Sequence, residues 1–218
     1  MAAEIWSSAT PLSLMSSNSR PAIRMGIINY VRGERNYIHS TDMIDALPLD
    51  TRPEQLSIFL RKPSTHPGFW SKSGSTGLDP ERYEKTASLT LKFPTHRERW
   101  DFLIDKEGRF EKRLPDFKED AHVYAIDLES EPPCCKVTCE ESESVWVAIM
   151  AAMREVGKTL YPETNGWYIA YIHSNMNYLD PALSGSVITM RLGKKREFLE
   201  IDFDIGCKPT GRIGFIQS

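Results

Sequence analysis

Long apolar runs are missing from this sequence. None approaches the roughly 20 residues needed to span a bilayer, and the longest, at 145–153, falls far short of that. The N-terminus lacks a basic stretch followed by an apolar core, so a secretory signal is not expected and a cytoplasmic location is. Cysteine is scarce. The four present, Cys134, Cys135, Cys139 and Cys207, fit no paired C-x-x-C pattern, so reduced thiols are expected and a zinc site is not. No histidine has a second at H-x-x-x-H spacing, and Asp202 and Asp204 read as ordinary strand acids, so no metal is expected.

An excess of one charge is also missing. Lys and Arg number 27 against 30 Asp and Glu, giving a net charge of -3, and this gives no push toward nucleic acid or an anionic membrane. There is no P-loop, no G-x-G-x-x-G, no G-x-S-x-G elbow and no kinase signature. Nucleotide-driven, nicotinamide-dependent and α/β-hydrolase chemistries lose support, and no cofactor is expected.

What is present is an ordinary globular composition: 218 residues, 40% hydrophobic and 26% charged. That is enough for one sizeable core. The Ser- and Ala-rich stretch 1–19 reads as a disordered tail, and 20–218 as a single α+β domain. A β-hairpin is expected from 22–31 and 35–39, turning at Gly33 and Glu34. A short helix over 42–47 follows, capped by Ser40 or Thr41 and stopped by Pro48. The stretch 64–85 is rich in Ser, Gly and Pro and reads as a long loop, with Phe69 and Trp70 as a flap. The clearest element is a helix over 142–157. Val145, Ile149, Met153 and Val156 share one face, Ser142 can cap it and Gly157 can end it. Strands at 167–173, 186–192, 197–205 and 212–216 come after it. The pattern predicts a curved antiparallel sheet packed on one main helix.

One echo stands above composition. Tyr37-Ile38-His39-Ser40 recurs as Tyr171-Ile172-His173-Ser174, with similar segments downstream of each copy. This suggests two related β-rich halves, 21–130 and 140–218, whose pseudo-twofold axis would bring His39 and His173 toward one cleft.

Those histidines lead the candidates for chemistry, because imidazole exchanges protons near neutral pH. Tyr37 lies two residues before His39 on the same strand face, and Asp42 offers a carboxylate beside it. His39, His173, Asp42 and Tyr37 are therefore the expected catalytic groups. Arg24, Arg35 and Arg191 could clamp an anion, Ser40 and Tyr171 could bind polar atoms, and Trp70 could cover the substrate. The reading that follows is a cofactor-independent enzyme on a small anionic or carbonyl compound, of lyase, isomerase, hydratase or thioester type, in a cleft between sheet and helix. A homodimer would be compatible with it. The alternative is a non-catalytic binding protein with a protein partner, such as a toxin-immunity protein or adaptor. A third reading starts from His39-Ser40-Thr41, which resembles the H-x-Thr/Ser motif of two-histidine phosphoesterases; the second copy reads His173-Ser174-Asn175.

Overall fold

Alternating buried and exposed side chains turn most of this chain into strand. In 97–105, for example, Trp100, Phe102 and Ile104 point inward while their neighbours face out. The computed structural model describes residues 24–47, 53–116, 123–127, 129–138, 145–160, 167–175, 187–195 and 198–217. The expected N-terminal tail, Cys139 and the Ser142 cap lie outside them.

The first half comprises β1 (Arg24–Ile28), β2 (Tyr30–Arg32), α1 (Ser40–Asp45), β3 (Gln55–Leu60), β4 (Gly68–Lys72), β5 (Tyr83–Lys92), β6 (Arg97–Asp105) and β7 (Lys112–Leu114). The second comprises β8 (Val123–Asp127), β9 (Cys134–Thr138), α2 (Val145–Leu160), β10 (Trp167–Asn175), β11 (Val187–Lys195), β12 (Phe198–Ile205) and β13 (Lys208–Gln217). Eleven strands form one sheet in the order β1-β4-β6-β5-β3-β10-β13-β12-β11-β9-β8, every pair antiparallel. β2 and β7 make a separate parallel ribbon. The halves meet where β3 pairs with β10, Ile58 opposite Ile172. One cluster of buried apolar side chains runs through both, from Ile28, Trp70 and Phe102 to Ile149, Phe203 and Phe215.

Each half places the strand before its helix toward the outside and the strand after it at the seam. They differ in between. β12 and β13 follow β11 in sequence order across the sheet, whereas β5 and β6 exchange places. The links explain this. Only residues 196–197 separate β11 from β12, so the two must be neighbours, while residues 73–82 are long enough to carry the chain from β4 across to β3.

Several expectations are corrected. The hairpin from 22–31 and 35–39 does not form: β1 pairs with β4, β2 with β7, and the second segment contributes only an isolated bridge from Ile38 to Ser64. The flap is instead core strand. Phe69 and Trp70 lie in β4, and Trp70 is fully buried against the Phe102 ring at 5.1 Å. α2 runs through Gly157 to Leu160 rather than stopping there. Among the described residues the sheet is served by two helices, one of them short. The two copies of the echo also sit in different places. The first precedes α1, while the second lies inside β10, whose counterpart by sheet position is β3.

Candidate functional site

Chain segments from both halves converge around His39. Residues 37–40 and Met43 approach from one side, and the end of β3 with residues 61–64 from another. Met150 of α2, Tyr168 and Ile169 of β10 and Ile216 of β13 close the space, leaving a cavity of about 190 Å³. Its walls are largely apolar: Ile38, Met43, Leu60, Met150, Ile169 and Ile216.

His39 is placed by an unusual helix cap. Its backbone is extended, and Nδ1 accepts a hydrogen bond from the Thr41 amide at 3.3 Å, the service normally given by Ser, Thr, Asp or Asn. The expected caps, Ser40 and Thr41, are instead the first residues inside α1. His39 is only 6% exposed. Burial, and then the nearby positive charge of Arg35, lower its pKa from 6.5 to about 4. The ring is therefore neutral at pH 7. With Nδ1 accepting, its single proton is assigned to Nε2.

Of the other expected site residues, Tyr37 and Ser40 line this cavity, and the Tyr37 ring meets Tyr168 edge-on at 6.4 Å. Asp42 does not line it. That carboxylate is buried and accepts from Arg32 Nε at 2.9 and 3.1 Å and from Tyr30 Oη at 3.1 Å. Burial raises its pKa, against the pull of Arg32. Asp42 thus ties α1 to β2 and is not a free acid–base group. Trp70 is in the core, its indole donating to the Met43 carbonyl at 2.9 Å. Arg35 pairs with Asp116, Arg191 with Asp204, and Tyr171 donates to Glu200. Arg24 lies on β1 opposite Ser71. His173 does not share the His39 cavity. It borders a separate groove of about 510 Å³ with Ser57, Asn175 and Arg212. The expectation of one cleft holding both histidines is corrected accordingly.

Sequence reasoning missed most of the cavity wall. Leu60, Met150 and Ile169 carry no local mark that sets them apart from other apolar residues. Arg61 and Lys62 are exposed beside the cavity, directly before Pro63, and that cationic pair at a strand end was the one available signal. Among the described residues no group of His, Cys, Asp and Glu could hold a metal, and no helix is long and apolar enough to cross a membrane.

No family model matches the chain. No curated protein matches it significantly. Solved structures do. The tesB protein of Mycobacterium avium subspecies paratuberculosis superposes with a TM-score of 0.53 at 7% identity, covering 88% of this chain and 92% of that one. The dehydratase domain of PpsC from Mycobacterium tuberculosis, solved with C12:1-CoA, gives 0.41 at 9% identity over 80% and 79%. An acyl-ACP thioesterase from Bacteroides thetaiotaomicron gives 0.35 at 9% identity over 76% and 75%. The class defined here is a fold: a mostly antiparallel, hotdog-like sheet with few helices, shared with the tesB protein over nearly its whole length.

Proposed function

We propose that this chain is a cofactor-independent enzyme acting on a small acyl thioester at the cavity around His39. The fold alone does not set the chemistry. The observation that carries the reading is one apolar cavity with a buried, neutral, tautomer-fixed imidazole in its wall. The apolar walls suit an acyl chain. Pockets for drug-sized ligands run to about 300–1,000 Å³, so about 190 Å³ favours a short acyl group.

A neutral imidazole with its proton on Nε2 suits a hydrogen bond to a carbonyl oxygen, which polarises the carbonyl without charging the ring. The same ring can pass a proton in a hydration or dehydration step. Arg61 outside would attract the anionic end of the substrate, while Lys62 beside it is paired with Glu84 at 2.5 Å, and the Tyr37 hydroxyl adds a polar group to the wall.

The test measures thiol release from short acyl-CoA esters and hydration of the matching enoyl esters, with His39→Ala and His39→Gln beside the unaltered protein. Loss of a positioned proton-transfer or polarising group is expected to reduce kcat by about 10²–10⁴-fold in both variants. No turnover of any thioester by the unaltered protein, or equal turnover by His39→Ala, would refute the reading.

A further inference from the structure

The second groove, far from being an empty surface, holds a hydroxyl and an imidazole in contact. It shares no lining residue with the His39 cavity. Ser57 on β3 and His173 on β10 are direct partners across the seam between the halves, and Ser57 Oγ lies 2.9 Å from His173 Nδ1. On its other side His173 is the register partner of Arg212 on β13. Among the described residues no carboxylate bonds the ring. Aromatic packing fixes it instead: Phe59 meets it edge-on at 5.3 Å and Tyr171 lies 5.1 Å away. Tyr171 can lie there because its partner on β13 is Gly214, where a Cβ would fall 2.1 Å from the Tyr171 ring.

We propose that Ser57 and His173 form a nucleophile–base pair that cleaves small esters bearing an anionic group. Nucleophile and base stand within hydrogen-bond reach, as covalent catalysis requires. Burial and the Arg212 charge push the His173 pKa down, so the ring is a neutral base at pH 7. Arg212 is held bidentately by Asp202 at 2.6 and 3.2 Å, with Glu200 3.9 Å from its Nη1, and its guanidinium lies in the groove wall beside the Asp202 carboxylate, where its remaining N–H groups can meet a carboxylate or phosphate on the substrate. In the first step Ser57 Oγ attacks the ester carbonyl, and its proton moves to His173 Nδ1. The carbon–oxygen bond to the leaving alcohol breaks, and His173 returns the proton to that oxygen. Water then attacks the Ser57 ester, again giving a proton through His173, and releases the acid with the Ser57 hydroxyl restored.

The experiment treats the full chain with a fluorophosphonate and locates the label by peptide mass. It also follows hydrolysis of a p-nitrophenyl ester carrying a terminal carboxylate. Label on Ser57 is expected, absent in Ser57→Ala. In His173→Gln, labelling and turnover should both fall by roughly a hundredfold. In the unaltered protein the rate should fall as pH drops through a midpoint below 6.5, where His173 takes up a proton. No label on Ser57, or labelling as fast in His173→Gln as in the unaltered chain, would overturn the proposal. So would Ser57→Ala with full ester turnover.

Discussion

The two helices are held in opposite ways. α2 has sixteen residues and buries Trp146, Ile149, Ala152 and Val156 against the sheet, with Trp146 edge-on to Phe203 at 5.9 Å. It follows the usual rule that an amphipathic face, not propensity, holds a helix in place. α1 has six residues, too few to persist alone. It buries Met43 and Ile44, and polar contacts do the rest: the His39 cap, the Arg32–Asp42 ion pair and the Trp70 indole on the Met43 carbonyl. The half that carries the cavity histidine therefore depends on directional contacts. Those contacts fail to substitution and to pH in ways that apolar packing does not.

The largest expected effect comes from removing the apolar side of that support. Trp70→Ala deletes a fully buried ring and the hydrogen bond to α1 together. It is expected to lower the free energy of unfolding by about 3–5 kcal/mol, read from denaturant midpoints. The variant should also loosen α1 enough that the His39 ring titrates nearer its ordinary pKa in NMR. A large stability loss with an unchanged His39 titration would show that α1 holds itself, and the contrast between the helices would fall.

The same contrast marks what the sequence could disclose. The strands of the second half were legible because β10 and β12 are dense in aromatic and β-branched residues between turn signals, and α2 because its apolar face repeats at helical spacing. β4 was not. Phe69, Trp70 and Ser71 are buried in succession, so no alternation survives among its Gly, Pro and Ser neighbours. The first hairpin failed for a different reason. Gly33 does make a turn, but β2 before it pairs with β7 and the segment after it makes only the Ile38–Ser64 bridge, and pairing between distant segments leaves no local mark. In the candidate site, Tyr37, His39 and Ser40 were found because three polar groups stand together in sequence. Met150, Ile169 and Ile216 join them only through the fold. Asp42 was misassigned because adjacency to His39 along the chain says nothing of which way a helical side chain points. The exact recurrence of four residues proved weaker evidence than sheet position.

A pH series sharpens the comparison next. The pKa of His39 is about 4 folded and 6.5 at its ordinary value. The unfolded chain therefore binds the extra proton first. The neutral ring's stability is fully present above pH 6.5 and is lost as pH falls toward 4, by up to about 3 kcal/mol. His39→Asn keeps an acceptor for the cap but cannot titrate in this range. The difference in unfolding free energy between the two proteins should therefore shrink steadily from pH 7 to pH 4. Parallel curves would mean that His39 is not buried as a neutral ring. α2 presents no comparable group among its described buried side chains, so substitutions along its apolar face should leave that slope unchanged.

The smallest effect tests the second half, where backbone shape and not a polar network is at stake. β12 and β13 are joined by Gly206 and Cys207, with φ of 55° and 65°. A two-residue hairpin with both φ values positive is the turn that matches strand twist. Gly206 adopts it freely, whereas Cys207 pays a steric penalty there with its side chain exposed. Cys207→Gly relieves that strain but widens the unfolded ensemble, so the two terms partly cancel. Cys207→Asn relieves strain without the entropic loss, because Asn tolerates the left-handed region. Asn is therefore expected to stabilise by about 0.5 kcal/mol and to exceed Gly, measured as a small upward shift in Tm. If Gly gives the larger gain, steric strain at 207 outweighs chain entropy, and the hairpin that sets β13 beside β10 is more strained than its exposed position suggests.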